Sequence, residues 1–150
     1  MAGFTDQRET DILDLFFTNV AAPNVGDAAG LPPSIGENNL HVSAHLSDAL
    51  TDASTDQDDN ETTYTGYGRV AVARNVSDWT VTGDTVSNDA LLQHGNMTAG
   101  GPVTITDVGI GFATSGTGFL DAWGQVTLDL VVNNGVNPQY AIAALDFTLD

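Results

Sequence analysis

Apolar and polar residues alternate one by one in several short blocks of this chain, and a period of two dictates pleated strands rather than helices. In Leu40–Leu46, residues Leu40, Val42, Ala44 and Leu46 share one face, and His41, Ser43 and His45 share the other. Gln125–Val132 repeats the pattern with Val126, Leu128, Leu130 and Val132 on one face. Tyr140–Leu149 sets Leu145, Phe147 and Leu149 inward against Asp146, Thr148 and Asp150 outward. Tyr64–Arg74 reads as one strand of a half-buried sheet, with Val70 and Val72 on one face and Tyr67, Arg69, Ala71 and Ala73 on the other. Trp79 follows shortly after and offers a large surface for a core.

Turn signals punctuate these blocks. Val81–Val86 reads as a strand edge and turn around Gly83-Asp84, and Gly100-Gly101-Pro102 as a break. Val103, Ile105 and Asp107 alternate with Thr104, Thr106 and Val108. Ser115-Gly116-Thr117-Gly118 is a tight turn between strands, and Asn134-Gly135 is the strongest hairpin signal in the chain. Asn88–Met97 has no clear period, and Leu91 with Leu92 is expected to pack inward. About six to eight short strands with glycine-rich turns imply an all-β chain, an antiparallel, jelly-roll-like β-sandwich with one N-terminal α-helix. A length of 150 residues suits a single domain over 1–150.

The spacing predicts that helix over residues 5–20. Asp6 followed by Glu9 resembles a capping box, with Thr5 an equal candidate for the N-cap, and Pro23 is expected to end the helix. Ile12, Leu13, Leu15, Phe16, Phe17 and Val20 make a wide apolar stripe. That stripe either covers one sheet of the domain or, through Leu13, Phe16 or Phe17, forms an oligomer interface. Residues 21–38, with Pro23, Gly26, Gly30, Pro32, Pro33 and Gly36, read as an exposed, irregular connection.

The charge balance narrows what such a body can meet. Twenty acidic residues, seventeen of them Asp, face three arginines and no lysine, for a formal charge of -17. A field of that size repels itself at low ionic strength, and concentrated salt removes most of the penalty by shortening the Debye length to about 3 Å at 1 M. This is the composition of proteins from salt-loving organisms; the alternative is an acidic face turned to a basic partner. Three arginines cannot line a phosphate-binding groove or hold an anionic bilayer, so neither nucleic acid nor membrane is an expected partner. The absence of cysteine rules out disulfides and thiolate metal sites. No apolar run approaches the ~20 residues of a membrane span, and Met1–Asp6 shows no secretory signal, so the expectation is a soluble, unexported protein.

Motifs for chemistry are few. On a strand, His41 and His45 sit about 13 Å apart, too far to share one ion. Asp56-Gln57-Asp58-Asp59-Asn60 starts like a calcium loop, but Glu61 stands where the turn glycine belongs and Tyr67 where the bidentate Glu belongs. The acidic segment Asp48–Thr63 is therefore expected to be a hydrated tip, with no metal or cofactor assigned. No nucleophile-elbow sequence is present, and among twenty acids some carboxylate pair will always look suited to glycoside hydrolysis, so no catalytic residue is assigned. Tyr64, Tyr67, Trp79, Trp123 and Tyr140 are the aromatics a glycan-binding surface would need, although both tryptophans lie among strand residues and suit a core.

The order of the pieces resembles a family of small structural proteins of tailed viruses, described as capsid fibre, tail fibre or head-decoration proteins. Asp11–Phe16 looks like the family's leading helix, and Leu40–Asp48 like its first strand and turn. Gly66–Val72 followed by Trp79 is the most recognisable segment; Val108-Gly109-Ile110, Trp123-Gly124 and Leu145–Leu149 match later strands. The chain departs from the pattern in its longer connection before Leu40 and its acidic loop at Asp52–Glu61. With the acidic composition, the resemblance implies a non-catalytic virion protein of a haloarchaeal tailed virus, assembled in the host cytoplasm. It would decorate the capsid exterior or a vertex turret as a trimer or pentamer, bound to itself and to the major capsid protein or other virion proteins. A tail-fibre or receptor- or glycan-binding module is the alternative.

Overall fold

The structure, a computed structural model, describes residues 4–23, 25–35, 39–47 and 50–149. One helix, α1 (Asp6–Leu13), continues into a π-helical turn at Asp14–Thr18. Nine strands follow among the described residues: β1 (Leu40–Leu46), β2 (Val70–Val72), β3 (Trp79–Thr82), β4 (Thr85–Asn88), β5 (Leu92–Gln93), β6 (Val103–Gly111), β7 (Leu120–Val132), β8 (Gln139–Tyr140) and β9 (Asp146–Thr148). All their pairings are antiparallel, which is the all-β, sandwich-like class that the alternation predicts. They divide between two compact units interleaved in sequence. The first comprises Met1–Asn39, Ala73–Leu91 and Ala141–Asp150; the second comprises Leu40–Val72 and Leu92–Tyr140.

In the first unit the sheet order is β3-β4-β9. The Gly83-Asp84 turn joins β3 to β4, with Gly83 at φ +64°, a left-handed conformation that favours glycine. Thr5 is the N-cap of α1, but its side chain makes no capping hydrogen bond; its carbonyl accepts from the Arg8 and Glu9 amides at 2.7 and 3.0 Å. The helix ends at Asn19, four residues before the expected stop at Pro23, because Asn19 takes the left-handed conformation (φ 57°, ψ 30°) that asparagine tolerates. Thr18 Oγ1 donates back to the Asp14 carbonyl at 2.8 Å within the widened turn. Arg74 then closes this end: Nε and Nη2 donate to the Phe16 and Leu15 carbonyls at 2.5 and 2.6 Å, where a helix has carbonyls to spare and favours a cation. Phe17 is buried with its ring 4.9 Å from Trp79 and 6.0 Å from Phe147. Fully buried Asn88 ties β4 to the chain beyond it, donating to the Ala90 and Ala141 carbonyls and accepting from the Ala144 and Leu145 amides.

In the second unit β2-β1-β6-β7 form a four-stranded sheet, and β5 pairs with β8. Ala44, Tyr64, Met97, Ile105 and Val132 make a closed core cluster, with Leu46, Tyr67, Val103 and Leu130 packed on it. Residues 105–111 of β6 are buried on both faces, as expected of a central strand covered on each side. The Tyr64–Arg74 block is not one strand. Gly66 at φ +103° and a hydrogen bond from the Tyr67 amide to the Tyr64 carbonyl turn the chain, leaving only Val70–Val72 in the sheet. A Cβ on Gly66 would lie 2.1 Å from the Asn96 carbonyl oxygen, so glycine is required by space as well as by φ.

Two further expectations fail in β7 and beyond. Between the pairs Ile105↔Leu130 and Asp107↔Gln125 the register leaves one residue on β6 opposite four on β7. That bulge breaks the alternation, so Val132 is buried while Leu128 is 84% exposed. Asn134-Gly135 does form a tight turn, with the Val136 amide donating to the Asn133 carbonyl, but it joins no hairpin: β7 pairs with β6, and β8 beyond the turn pairs with β5. Leu92 packs inward as expected, whereas Leu91 is exposed. In the closing strand Leu145 is buried and Asp146 and Thr148 are exposed; Asp150 lies outside the described residues.

Candidate functional site

Arg69 stands just before β2 with its side chain only 1% exposed, and a buried guanidinium needs a partner for every N–H. It has them. Nε and Nη2 fork onto Glu61 Oε1 and Oε2, both at 2.7 Å. Nη1 donates to Gln57 Oε1 at 3.0 Å and the Ala113 carbonyl at 2.9 Å, and Nη2 also to the Gly116 carbonyl at 2.8 Å. Five donors thus bind the acidic segment to the loop between β6 and β7. Tyr67 extends the network: its hydroxyl donates to Glu61 Oε1 at 2.7 Å and accepts from the Ala44 amide at 3.0 Å. Burial, then the bond to Glu61, pushes the Tyr67 phenol far above its ordinary value.

Gln57 carries the network under β1. Fully buried, it donates to the His41 carbonyl at 2.6 Å and reaches Ser43 Oγ at 3.4 Å. Ser43 Oγ lies 2.8 Å from His45 Nε2, and His45 Nδ1 lies 2.8 Å from the Asp59 carbonyl, which calls for a proton on Nδ1. Burial lowers the His45 pKa, opposed by the bond to Asp59. Gly109 makes room for this pair, since a Cβ there would fall 2.7 Å from His45 Nε2 and 2.8 Å from Ser43 Oγ. His94, also buried, stacks on Tyr67 with ring centroids 5.3 Å apart and bonds the Gly68 carbonyl through Nδ1; burial lowers its pKa as well.

Above this network lies an open cleft of about 230 Å³, lined by residues 61–64, 67–69 and 114–116. Its ion pair is internally matched, and the hydroxyl-bearing residues Thr63, Thr114 and Ser115 line much of the rest, while the Thr62 hydroxyl is buried. The chemistry on offer is hydrogen bonding to a neutral polar group. Ser43, His45 and Asp107 come together, with His45 directly opposite Asp107 in the β1–β6 register. They are not wired as a catalytic triad, because Nδ1 is given to a backbone carbonyl and all three residues are sealed from solvent.

The structure corrects the expectation of a hydrated acidic tip. Gln57 and Thr62 are buried and Glu61 is bound to Arg69, while Asp52 and Asp58 remain exposed; Asp48 lies outside the described residues. Among the described residues no group of three or more His, Asp or Glu side chains is placed to hold a metal. Of the helix residues singled out in the sequence, Leu13 and Phe17 are buried and Phe16 is half-buried. Of the aromatics, Tyr64, Trp79 and Tyr140 are buried, and Tyr67 and Trp123 are half-buried. The sequence placed Gln57 and Glu61 only in the acidic segment, within a calcium-loop pattern that fails, and gave His94 no role. The usable signal was that Arg69, one of three arginines, heads the apolar block Val70–Ala73, where a buried cation calls for a carboxylate; which of twenty it takes is set by loop geometry.

The family described as podophage GP4 fiber I protein gp80 matches residues 3–148, through both units and the Arg69 network. The chain belongs to this family. No curated protein matches it. Membership makes the gp80-type chain a structural protein of the phage-fibre class, associated with other virion proteins, as the strand order had suggested. Within this fibre-type protein the Arg69–Glu61 network is the scaffold that shapes the cleft.

Proposed function

We propose that this chain is a non-catalytic fibre subunit of a haloarchaeal tailed virus, carried on the capsid exterior, where it associates with copies of itself and with the major capsid protein. The family match over residues 3–148 carries the reading. The composition supports the host: seventeen aspartates and no lysine suit a protein whose field is cancelled by brine. The buried polar groups support a structural role, because Arg69, Gln57, His45 and Asn88 are each engaged in holding backbone or a neighbouring side chain. Assembly takes place in the host cytoplasm and the product resides in the virion as a trimer or pentamer.

A tail-fibre or glycan-binding module is the second reading, favoured by the open, hydroxyl-lined cleft beside Tyr67. Mass spectrometry and cryo-electron microscopy of purified particles test the proposal. The chain is expected in stoichiometric amount in density on the capsid surface, fivefold at vertices for a turret. Absence from mature particles overturns it, and density confined to the tail selects the second reading.

A further inference from the structure

We infer that the cleft over the Arg69 network is a binding site for one uncharged sugar ring of a polysaccharide, with Tyr67 as its platform and Thr63, Thr114 and Ser115 as its hydrogen-bonding rim. The inference rests on the glycan-binding form of the second reading and holds whether the subunit sits on head or tail. Charge sets the class of ligand. The charged side chains lining the cleft are Glu61 and Arg69, and both are engaged within the protein. All five Arg69 donors have acceptors, and Glu61 accepts from Arg69 through both oxygens and from the Tyr67 hydroxyl through Oε1. A sulfate, phosphate or carboxylate on a ligand therefore finds no free cation there and meets a chain of formal charge -17. An ammonium group finds no unpaired carboxylate in the lining.

The rim offers the complementary chemistry. Thr63, Thr114 and Ser115 are exposed, and their hydroxyls make no hydrogen bond among the described residues. Thr117, on the same loop but outside the cleft, has its hydroxyl on Asp58 Oδ2 at 3.0 Å. A free hydroxyl both donates and accepts, as the edge of a sugar does. Tyr67 presents carbon instead. Its hydroxyl is tied to Glu61 and the Ala44 amide and its ring is stacked on His94, so the half-buried remainder that lines the cleft is aromatic ring. A sugar ring carries C–H bonds on its faces and hydroxyls round its edge, and an aromatic surface flanked by hydroxyls suits both. The walls are set beforehand: Arg69 holds the Ala113 and Gly116 carbonyls, and His94 Nδ1 bonds the Gly68 carbonyl at 3.0 Å, so little ordering is required on binding. A volume of about 230 Å³ lies below the ~300–1,000 Å³ of pockets for drug-sized ligands, so the cleft takes one ring and, being open, lets neighbouring sugars pass out.

Gly68 provides a clean block. It lines the cleft, a Cβ built on it meets nothing within 4 Å, and its φ lies outside the left-handed region. A leucine there stands in open space without disturbing the network. The test is a glycan array of neutral, sulfated and uronic-acid glycans on the purified full chain in ~1 M NaCl, with NMR titration by the methyl glycosides of glucose, galactose and mannose. A neutral glycan is expected to bind, with shifts at amides of residues 63, 68 and 114–116, and its acidic counterparts about tenfold or more weakly. Gly68→Leu is expected to weaken binding about tenfold or more with Tm unchanged within about 2 °C. Thr114→Ala and Ser115→Ala should each weaken it roughly two- to tenfold. Thr127→Ala, at an exposed residue of β7, should leave it unchanged. Neutral-glycan binding indifferent to Gly68→Leu and to the hydroxyl variants, shifts that map outside the cleft, or a preference for acidic glycans overturns the inference and leaves the glycan-binding reading standing. No binding on the array or in the titration overturns both. A chain that binds in this way yet is missing from particles fails the fibre reading alone.

Discussion

Replacing Arg69 by Met should unpin the acidic loop, and the size of the effect follows from the bonds counted above. The substitution removes five donors at once. Glu61, only 12% exposed in its side chain, keeps its charge with Tyr67 as sole side-chain donor, and Gln57 Oε1 and the Ala113 carbonyl lose their bonds inside the protein. Removing one member of a buried pair costs about 3–5 kcal/mol, because the other charge is left uncompensated. For a chain of this length that is a fall in Tm of roughly 6–20 °C. Arg69→Lys keeps the charge but supplies three donors to five acceptors, for a smaller loss of about 1–3 kcal/mol. The assay is denaturant unfolding in about 1 M NaCl, which screens surface repulsion and leaves the buried pair. Adding Glu61→Gln to Arg69→Met should recover part of the loss, since no stranded carboxylate remains, with a coupling of about 1–3 kcal/mol. A loss under ~1 kcal/mol for Arg69→Met, or strict additivity in the double variant, would refute the argument that this network holds the loop.

Acid is expected to destabilise the protein through His45 and His94. Burial holds both below the ordinary 6.5, so the unfolded chain binds more protons; stability is intact above about pH 7 and falls as pH drops through 6.5 toward the folded values. His45→Gln and His94→Gln should each flatten that slope, by up to about 1.4 kcal/mol per pH unit in stability curves measured between pH 7 and 5. Gly109→Ala drives a methyl to within 2.8 Å of three side-chain atoms and should cost about 1–3 kcal/mol, whereas Gly124→Ala on the neighbouring strand meets nothing within 4 Å and should be near neutral in the same melt. Tm should rise markedly between ~0.1 M and ~1 M NaCl because only the latter screens a net charge of -17; an unchanged Tm would remove the salt-adaptation argument.

What the sequence made legible was whatever a local period or a turn residue determines. Leu40–Leu46 alternates cleanly and is β1; Gly83-Asp84 closes the β3–β4 turn; Leu145 and Phe147 point where alternation puts them. The misses share one cause, the partner across the ladder. Leu128 matches Val126 and Leu130 in spacing, and only the four-against-one register with β6 turns it out. Asn134-Gly135 has hairpin chemistry, but which strand takes up the returning chain depends on β5, more than forty residues earlier. The candidate site was the least legible part. Glu61 and Arg69 are ordinary residues until the turn at Gly66 brings them together, and Gln57 looks like one more polar loop residue until it is found under β1.

The weave of the two units sets a schedule for the nascent chain. Every segment of the second unit has been translated once Tyr140 is made, and its four-stranded sheet has all its members by then. β4 is translated far earlier but waits for β9, whose Phe147 both pairs with Val86 and reaches Phe17. On a ribosome the core cluster around Met97 is therefore complete before β9 is made, and α1, β3 and β4 wait for that strand to fill their sheet.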